Sequence, residues 1–208
     1  MKNSVYFFML LLISFSATAQ EKMTAAEITV FKNSVNASAA STKTLTTDFV
    51  QYKHMDFLSK DIETSGKMSY KSPGSLLWQY TKPYQYSIVF KNNKIHINDA
   101  GKKSQMDASG SKMFDKLNKL IISSVKGNMF DETEFTISFL KNKDYNITKL
   151  IPKDATLKKY IKQMELYFDK KENMVAEVKM IEPSDDHTRI VFKNKVLNAP
   201  VPDSVFNN

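Results

Sequence analysis

The chain has 208 residues, 42% of them hydrophobic and 25% charged, with five glycines and six prolines. That is the composition of a globular chain and excludes a disordered or collagenous one. The formal charge is +8, but Arg189 is the only arginine and the lysines are dispersed among apolar residues, so the charge reads as a solvated surface and no nucleic-acid partner is expected. Cysteine is absent, which excludes disulfides, thiolate metal sites and a cysteine nucleophile, and argues against a lipid anchor on an N-terminal cysteine.

Residues 1–19 have the layout of a secretory leader. Lys2 supplies the charge, Val5–Phe15 is an apolar core broken only by Ser14, and Ala17-Thr18-Ala19 places small residues for cleavage before Gln20. The run falls short of the about 20 residues a membrane span needs. The expected product is a soluble exported protein, residues 20–208, forming one domain; the alternative is an uncleaved anchor.

Thr24–Leu45 predicts a helix, with Thr24 and Glu27 as a capping box and Ile28, Phe31, Val35 and Ala39 along one stripe. A β series follows at Leu45–Phe57, Glu63–Lys71, Leu76–Thr81, Tyr84–Lys91, Lys94–Asp99 and Lys102–Asp107. The Ser72-Pro73-Gly74 turn and the Asn92-Asn93 turn mark two hairpins. A second helix is predicted over Met113–Val125, started by Ser109 or Ser111 and stopped by Gly127, with Met113, Leu117 and Ile121 on its apolar stripe. Strands resume at Glu134–Lys141, Asp144–Ile151, Lys159–Asp169, Asn173–Glu182 and His187–Asn194, followed by an extended tail, Lys195–Asn208.

Eleven strands joined by short turns predict one antiparallel sheet, and a sheet of that width curls. Each helix has one apolar face to bury, so each should cover the concave side or the open edge. Alternation puts Met164, Leu166 and Phe168 on one face of their strand, and Met174, Ala176, Val178 and Met180 on one face of the next. Such methionines are either gap-fillers of an ordinary core or a wall that repacks around varied apolar ligands. Catalytic patterns are scarce. His54, His96 and His187 fall on separate strands without metal-binding spacing, and no nucleophile elbow, P-loop, dinucleotide fingerprint or calcium loop occurs. An enzyme built around a buried pocket stays open as a third class, but no residue pattern asks for it.

An ordered set of residues resembles the periplasmic lipoprotein carriers of the LolA type. It runs from Phe49-Val50-Gln51 through Gly66, Lys71 and Pro73 to Trp78 and Pro83, then the short strand Ser87-Ile88-Val89, and closes with Asp203-x-x-Phe206. The resemblance implies an incomplete, half-open antiparallel β-barrel of about eleven strands covered by amphipathic helices, in agreement with the count above. It implies a monomeric periplasmic carrier that uses no cofactor and catalyses nothing. Such a carrier takes acylated lipoproteins from an inner-membrane releasing transporter, shields their acyl chains, and passes them to an outer-membrane receptor.

The expected cavity wall is Phe49, Met68, Trp78, Met164, Leu166, Phe168, Met174, Val178 and Met180, and the expected lid residues are Met113, Leu117 and Ile121. At the hairpin Lys71-Ser72-Pro73, the family often has an arginine before the proline that helps hold the lid. Ser72 occupies that place here, leaving Lys71 as a weaker latch without the guanidinium fork. The departure keeps open a related carrier of another lipid or apolar small molecule. The missing anchor cysteine separates the chain from the LolB-type receptor, which shares the fold but is itself a lipoprotein.

Overall fold

A computed structural model describes residues 20–107 and 130–207. The leader and the second predicted helix, with Met113, Leu117 and Ile121, lie outside the described residues. After a two-residue strand β1 (Glu21–Lys22) comes helix α1 (Ala25–Ser41). It is followed by β2 (Thr44–His54), β3 (Ile62–Lys71), β4 (Ser75–Lys82), β5 (Tyr86–Lys91), β6 (Lys94–Asp99) and β7 (Lys102–Asp107). The second half holds β8 (Phe135–Lys141), β9 (Tyr145–Pro152), a single helical turn α2 (Ala155–Lys158), β10 (Gln163–Asp169), β11 (Val175–Ile181) and β12 (His187–Leu197). A short 3-10 turn, Asp203–Phe206, follows β12.

The twelve strands make one antiparallel sheet in the order β1-β8-β9-β10-β11-β12-β2-β3-β4-β5-β6-β7. Strands adjacent in the sheet are consecutive in the chain at all but two junctions. At one, the last strand pairs with the first long one, from His187↔His54 to Leu197↔Leu45. At the other, the short β1 pairs with β8, setting Lys22 against Leu140. β1 is the strand added to the expected eleven, too short to show a period. Among the described residues the two ends of the sheet, β1 and β7, do not pair with each other, so it is half open as expected.

Helix α1 begins at the predicted cap: Thr24 and Glu27 exchange hydrogen bonds in a capping box. It ends at Ser41, short of the predicted Leu45, because Thr44 and Leu45 are already paired in the sheet. Phe31 and Val35 are its buried residues. They pack on Leu150, Met164, Leu166 and Phe168, so the helix covers the β8–β10 half of the inner face. Lys141 on β8 donates to Glu27 at 2.6 Å, tying the helix start to that sheet edge. Lys159–Lys162 is not strand: Asp154 caps α2 by accepting from the Leu157 N–H at 2.8 Å, and Leu157 and Ile161, four residues apart, turn into the core.

Two further differences follow from register. Across β10 and β11, Tyr167 faces Glu177 but Phe168 faces Val175. Ala176 is the extra residue of a β-bulge, and Val175 takes the place alternation had assigned to it. The expected tail is extended only in part. Val201 and Phe206 fold back onto Val89 of β5, which alternates with the inward Ile88 and Phe90 and so lies on the outer face.

Lys71 belongs to that outer face too. Its ammonium donates to the Asp203 carboxylate at 2.6 Å and to the Val201 carbonyl at 3.1 Å. The hairpin therefore latches the C-terminal segment; the expected lid lies outside the described residues. Ser72 contributes its backbone N–H to the Lys43 carbonyl at 2.8 Å, and Pro73 stays within the turn.

Gly66 has a steric role. A Cβ there would sit 1.9 Å from the Gln79 carbonyl oxygen and 2.7 Å from the Phe49 ring. Gly66→Ala is therefore expected to destabilise the fold by about 3 kcal/mol or more through forced backbone movement, read as a lowered urea midpoint. The carboxyl of Glu27 is held down at about 2 from an ordinary 4.5, first by the Lys141 ammonium and then by Thr24. A depressed carboxylate stabilises fully above its unfolded value and loses that contribution as pH falls through its folded value. Between pH 4.5 and 2, wild type should lose more thermal stability than Glu27→Gln, as followed by circular dichroism.

Candidate functional site

The inner face of the sheet carries two apolar clusters. One lies under α1, around Leu150, Met164 and Phe168. The other surrounds Phe49, Met68, Trp78 and Phe90. Where they face each other a cavity of about 330 Å³ remains. Its wall combines strands from both halves of the chain, and one side is formed by Val35, Ser38 and Ala39 near the end of α1.

Met68, Trp78, Met164, Leu166, Phe168, Met174, Val178 and Met180 all line this cavity. Phe49 does not. It is 1% exposed and lies behind the wall, its ring stacked on Trp78 with centroids 4.3 Å apart. Such a pair adds about 1 kcal/mol beyond area burial, so Phe49 fixes the indole that the cavity meets. The bare backbone of Gly66 makes room for the phenyl ring.

Wall residues that alternation offered but that were not assigned include Ile190 and Phe192 of β12 and Ile88 and Phe90 of β5. Their strands were recognised, and period two within them was the available signal. Lys195 is different. Thr188, Ile190 and Phe192 point inward, which by alternation would send residue 194 inward. The register shifts between Lys193 and Val196, with Asn194 at φ 54°, and Lys195 lines the cavity instead. No simple period carries that information.

Several polar groups of the wall are paired. Tyr80 donates its hydroxyl to Gln51 Oε1 at 3.0 Å, and burial pushes the Tyr80 phenol up, keeping it a neutral donor. Thr47 donates to the Lys193 carbonyl at 2.8 Å, and Lys195 meets Glu172 Oε2 at 2.5 Å. Among the described lining residues there is no carboxylate, thiol or imidazole. The arrangement can surround an apolar chain and present one cation to whatever the chain carries.

The histidines sit elsewhere. His54 and His187 are paired residues of β2 and β12 with rings stacked 4.8 Å apart, so two of the three meet, while His96 lies on β6. His54 Nδ1 is 2.9 Å from Asp61 Oδ1. Burial, then the Lys179 charge, then His54, hold His187 below the ordinary histidine value. Among the described residues no three His, Asp or Glu side chains are grouped to hold a metal. No described helix is long and apolar enough to cross a membrane.

Comparison with known proteins agrees with this geometry. The chain is 28% identical over 180 residues to an outer-membrane lipoprotein carrier protein of Chromobacterium violaceum, covering 83% of this chain and 80% of that one. Its fold resembles that of an uncharacterized conserved protein from Thermus thermophilus, with a TM-score of 0.54 at 6% identity over 88% of this chain and 93% of that one. It also resembles a chain of the MucA/MucB complex of Pseudomonas aeruginosa, with a TM-score of 0.50 at 9% identity over 88% of this chain and 61% of that one. These likenesses concern the fold alone. Residues 40–208 match the family described as outer membrane lipoprotein carrier protein LolA, and with most of its length so matched the chain belongs to that family of carriers.

Proposed function

We propose that the protein is a soluble periplasmic shuttle, exported by the leader and working as a monomer of one domain from Gln20 onward. It shields the acyl chains of lipoproteins in the cavity between the two inner clusters and carries them from an inner-membrane releasing transporter to an outer-membrane receptor. The observation that carries this reading is the cavity itself, apolar and ringed by Met68, Met164, Met174 and Met180, within a chain of the carrier family. Burying a methylene is worth about 0.8 kcal/mol, so a long acyl chain carries on the order of 10 kcal/mol of transfer free energy. A wall of unbranched, polarizable methionines accepts such chains without demanding one shape. In this reading α1 supplies the movable side of the cavity, because it is held by apolar side chains, surface ion pairs and two isolated hydrogen bonds near its C-terminal end rather than by a sheet ladder.

A volume of about 330 Å³ is near the lower end of the about 300–1,000 Å³ of small-ligand sites. It favours, as a second reading, a carrier on the same fold for a single-chain lipid or apolar small molecule. Mass spectrometry of material co-purified from the native periplasm separates the two: bound triacylated lipoproteins support the first reading, free lipids the second.

The wall itself is tested by Val178→Glu and Met180→Glu, which put a carboxylate among apolar side chains. Each is expected to weaken uptake of a fluorescent acyl probe by about tenfold or more while the far-UV spectrum stays native. Full uptake by both folded variants would remove this face as the binding surface, and no uptake by wild type would remove the carrier reading.

A further inference from the structure

Lys195 is the one charged side chain among the described residues that line the cavity. It reaches the cavity through a β-bulge, a device that re-aims a side chain at the expense of regular pairing. Its side chain is only 11% exposed, whereas that of its partner, Glu172, is 52% exposed. A lysine kept for solubility would extend into water. This one is held at the edge of an apolar space, where an ammonium needs an anionic partner.

Glu172 is that partner in the empty protein, and it is suited to be replaced. It lies in the turn between β10 and β11, whose shape is kept by other groups. The Asp169 carboxylate accepts from the N–H groups of Lys171 and Glu172 at 2.7 and 3.1 Å. The Glu172 carbonyl accepts from the Ser38 hydroxyl of α1 at 3.4 Å. The Glu172 carboxylate can therefore turn into solvent without unmaking the turn, and a half-exposed carboxylate loses little by doing so. An anionic oxygen entering with a ligand would take its place on Lys195. A neutral head group could not, because it would leave the ammonium unpaired or leave Glu172 where it stands.

We propose that Lys195 is a head-group anchor: the cavity takes an acyl chain whose head bears a carboxylate or phosphate oxygen, which replaces Glu172 on the Lys195 ammonium. This rests on the second reading, a carrier of a single-chain lipid, and narrows its cargo to one with an anionic head. The chain lies along the methionine wall, and the charge stops at the mouth beside the end of α1.

The test compares palmitate, hexadecyl phosphate and hexadecanol, equal in chain length and different in head, for binding to purified protein stripped of lipid. Wild type is expected to bind palmitate or hexadecyl phosphate about tenfold or more tightly than hexadecanol, the size of a hydrogen bond to a charged group. Which of the two anions is favoured identifies the head as carboxylate or phosphate. Lys195→Met, which keeps the apolar stem, should bring the ratio to about one, and Lys195→Arg should retain it. Equal binding of all three heads by wild type, or an undiminished ratio in Lys195→Met, overturns the anchor and leaves the carrier reading standing. Failure of wild type to bind any of the three overturns the single-chain carrier reading, and the anchor with it.

Discussion

The pairing of β12 with β2 is the constraint on which the rest of this protein depends. Apart from this junction and the two-residue β1, strands adjacent in the sheet are consecutive in the chain. This junction joins residues more than a hundred positions apart, from His54 with His187 to Leu45 with Leu197. Without it the chain would be two separate meanders, each with one apolar face and little to put on it. With it the twelve strands form one sheet, and the twist of a sheet that wide brings its inner faces toward each other. The cluster around Trp78 comes mostly from the first half of the chain and the cluster around Phe168 mostly from the second. The cavity is the space between them, so it belongs to neither half alone.

That origin explains the character of the wall. Two faces that meet through curvature rather than interdigitation leave room, and the residues at the meeting line are those that tolerate room. Methionine does so through its flexible thioether. The rigid part of the wall is its aromatic unit, where Trp78 is stacked on Phe49, Phe49 lies over Gly66, and Tyr80 holds Gln51, with Met68 and Met174 packed beside it. Apolar contacts that are not directional give affinity without demanding one ligand shape, which suits a protein that must release what it holds.

The outer face follows a different logic. Phe206 and Val201 cover Val89, and the Lys71–Asp203 ion pair holds the segment to the hairpin. Asp203 is exposed and its carboxyl is held below the ordinary value chiefly by the Lys71 hydrogen bond; a pair so open to water sets position more than stability, and burial of Phe206 supplies the larger share. Lys71 thus clasps the C-terminal segment on the outer surface, and the two outlying pieces of the sequence signature, the hairpin and the terminal Asp-x-x-Phe, prove to be in contact.

Much was legible in the sequence because period-two alternation and turn chemistry are local. The strands, the Thr24 cap, the half-open antiparallel sheet and eight of the nine expected wall residues follow from residues within a few positions of each other. So does the family signature, whose Phe49, Gly66 and Trp78 turn out to be one stacked unit. What alternation could not decide was anything requiring a partner far along the chain. Phe49 points inward yet is covered, because Trp78 from another strand lies over it. Ala176 gives way to Val175, and Lys195 takes the inward place of Asn194, because bulges change the count of residues between fixed neighbours. Lys71 turns to the C-terminal segment because that segment folds back across the outer face. In each case the deciding term is a tertiary contact that fixes which residue faces which, and a period read along one strand carries no record of it.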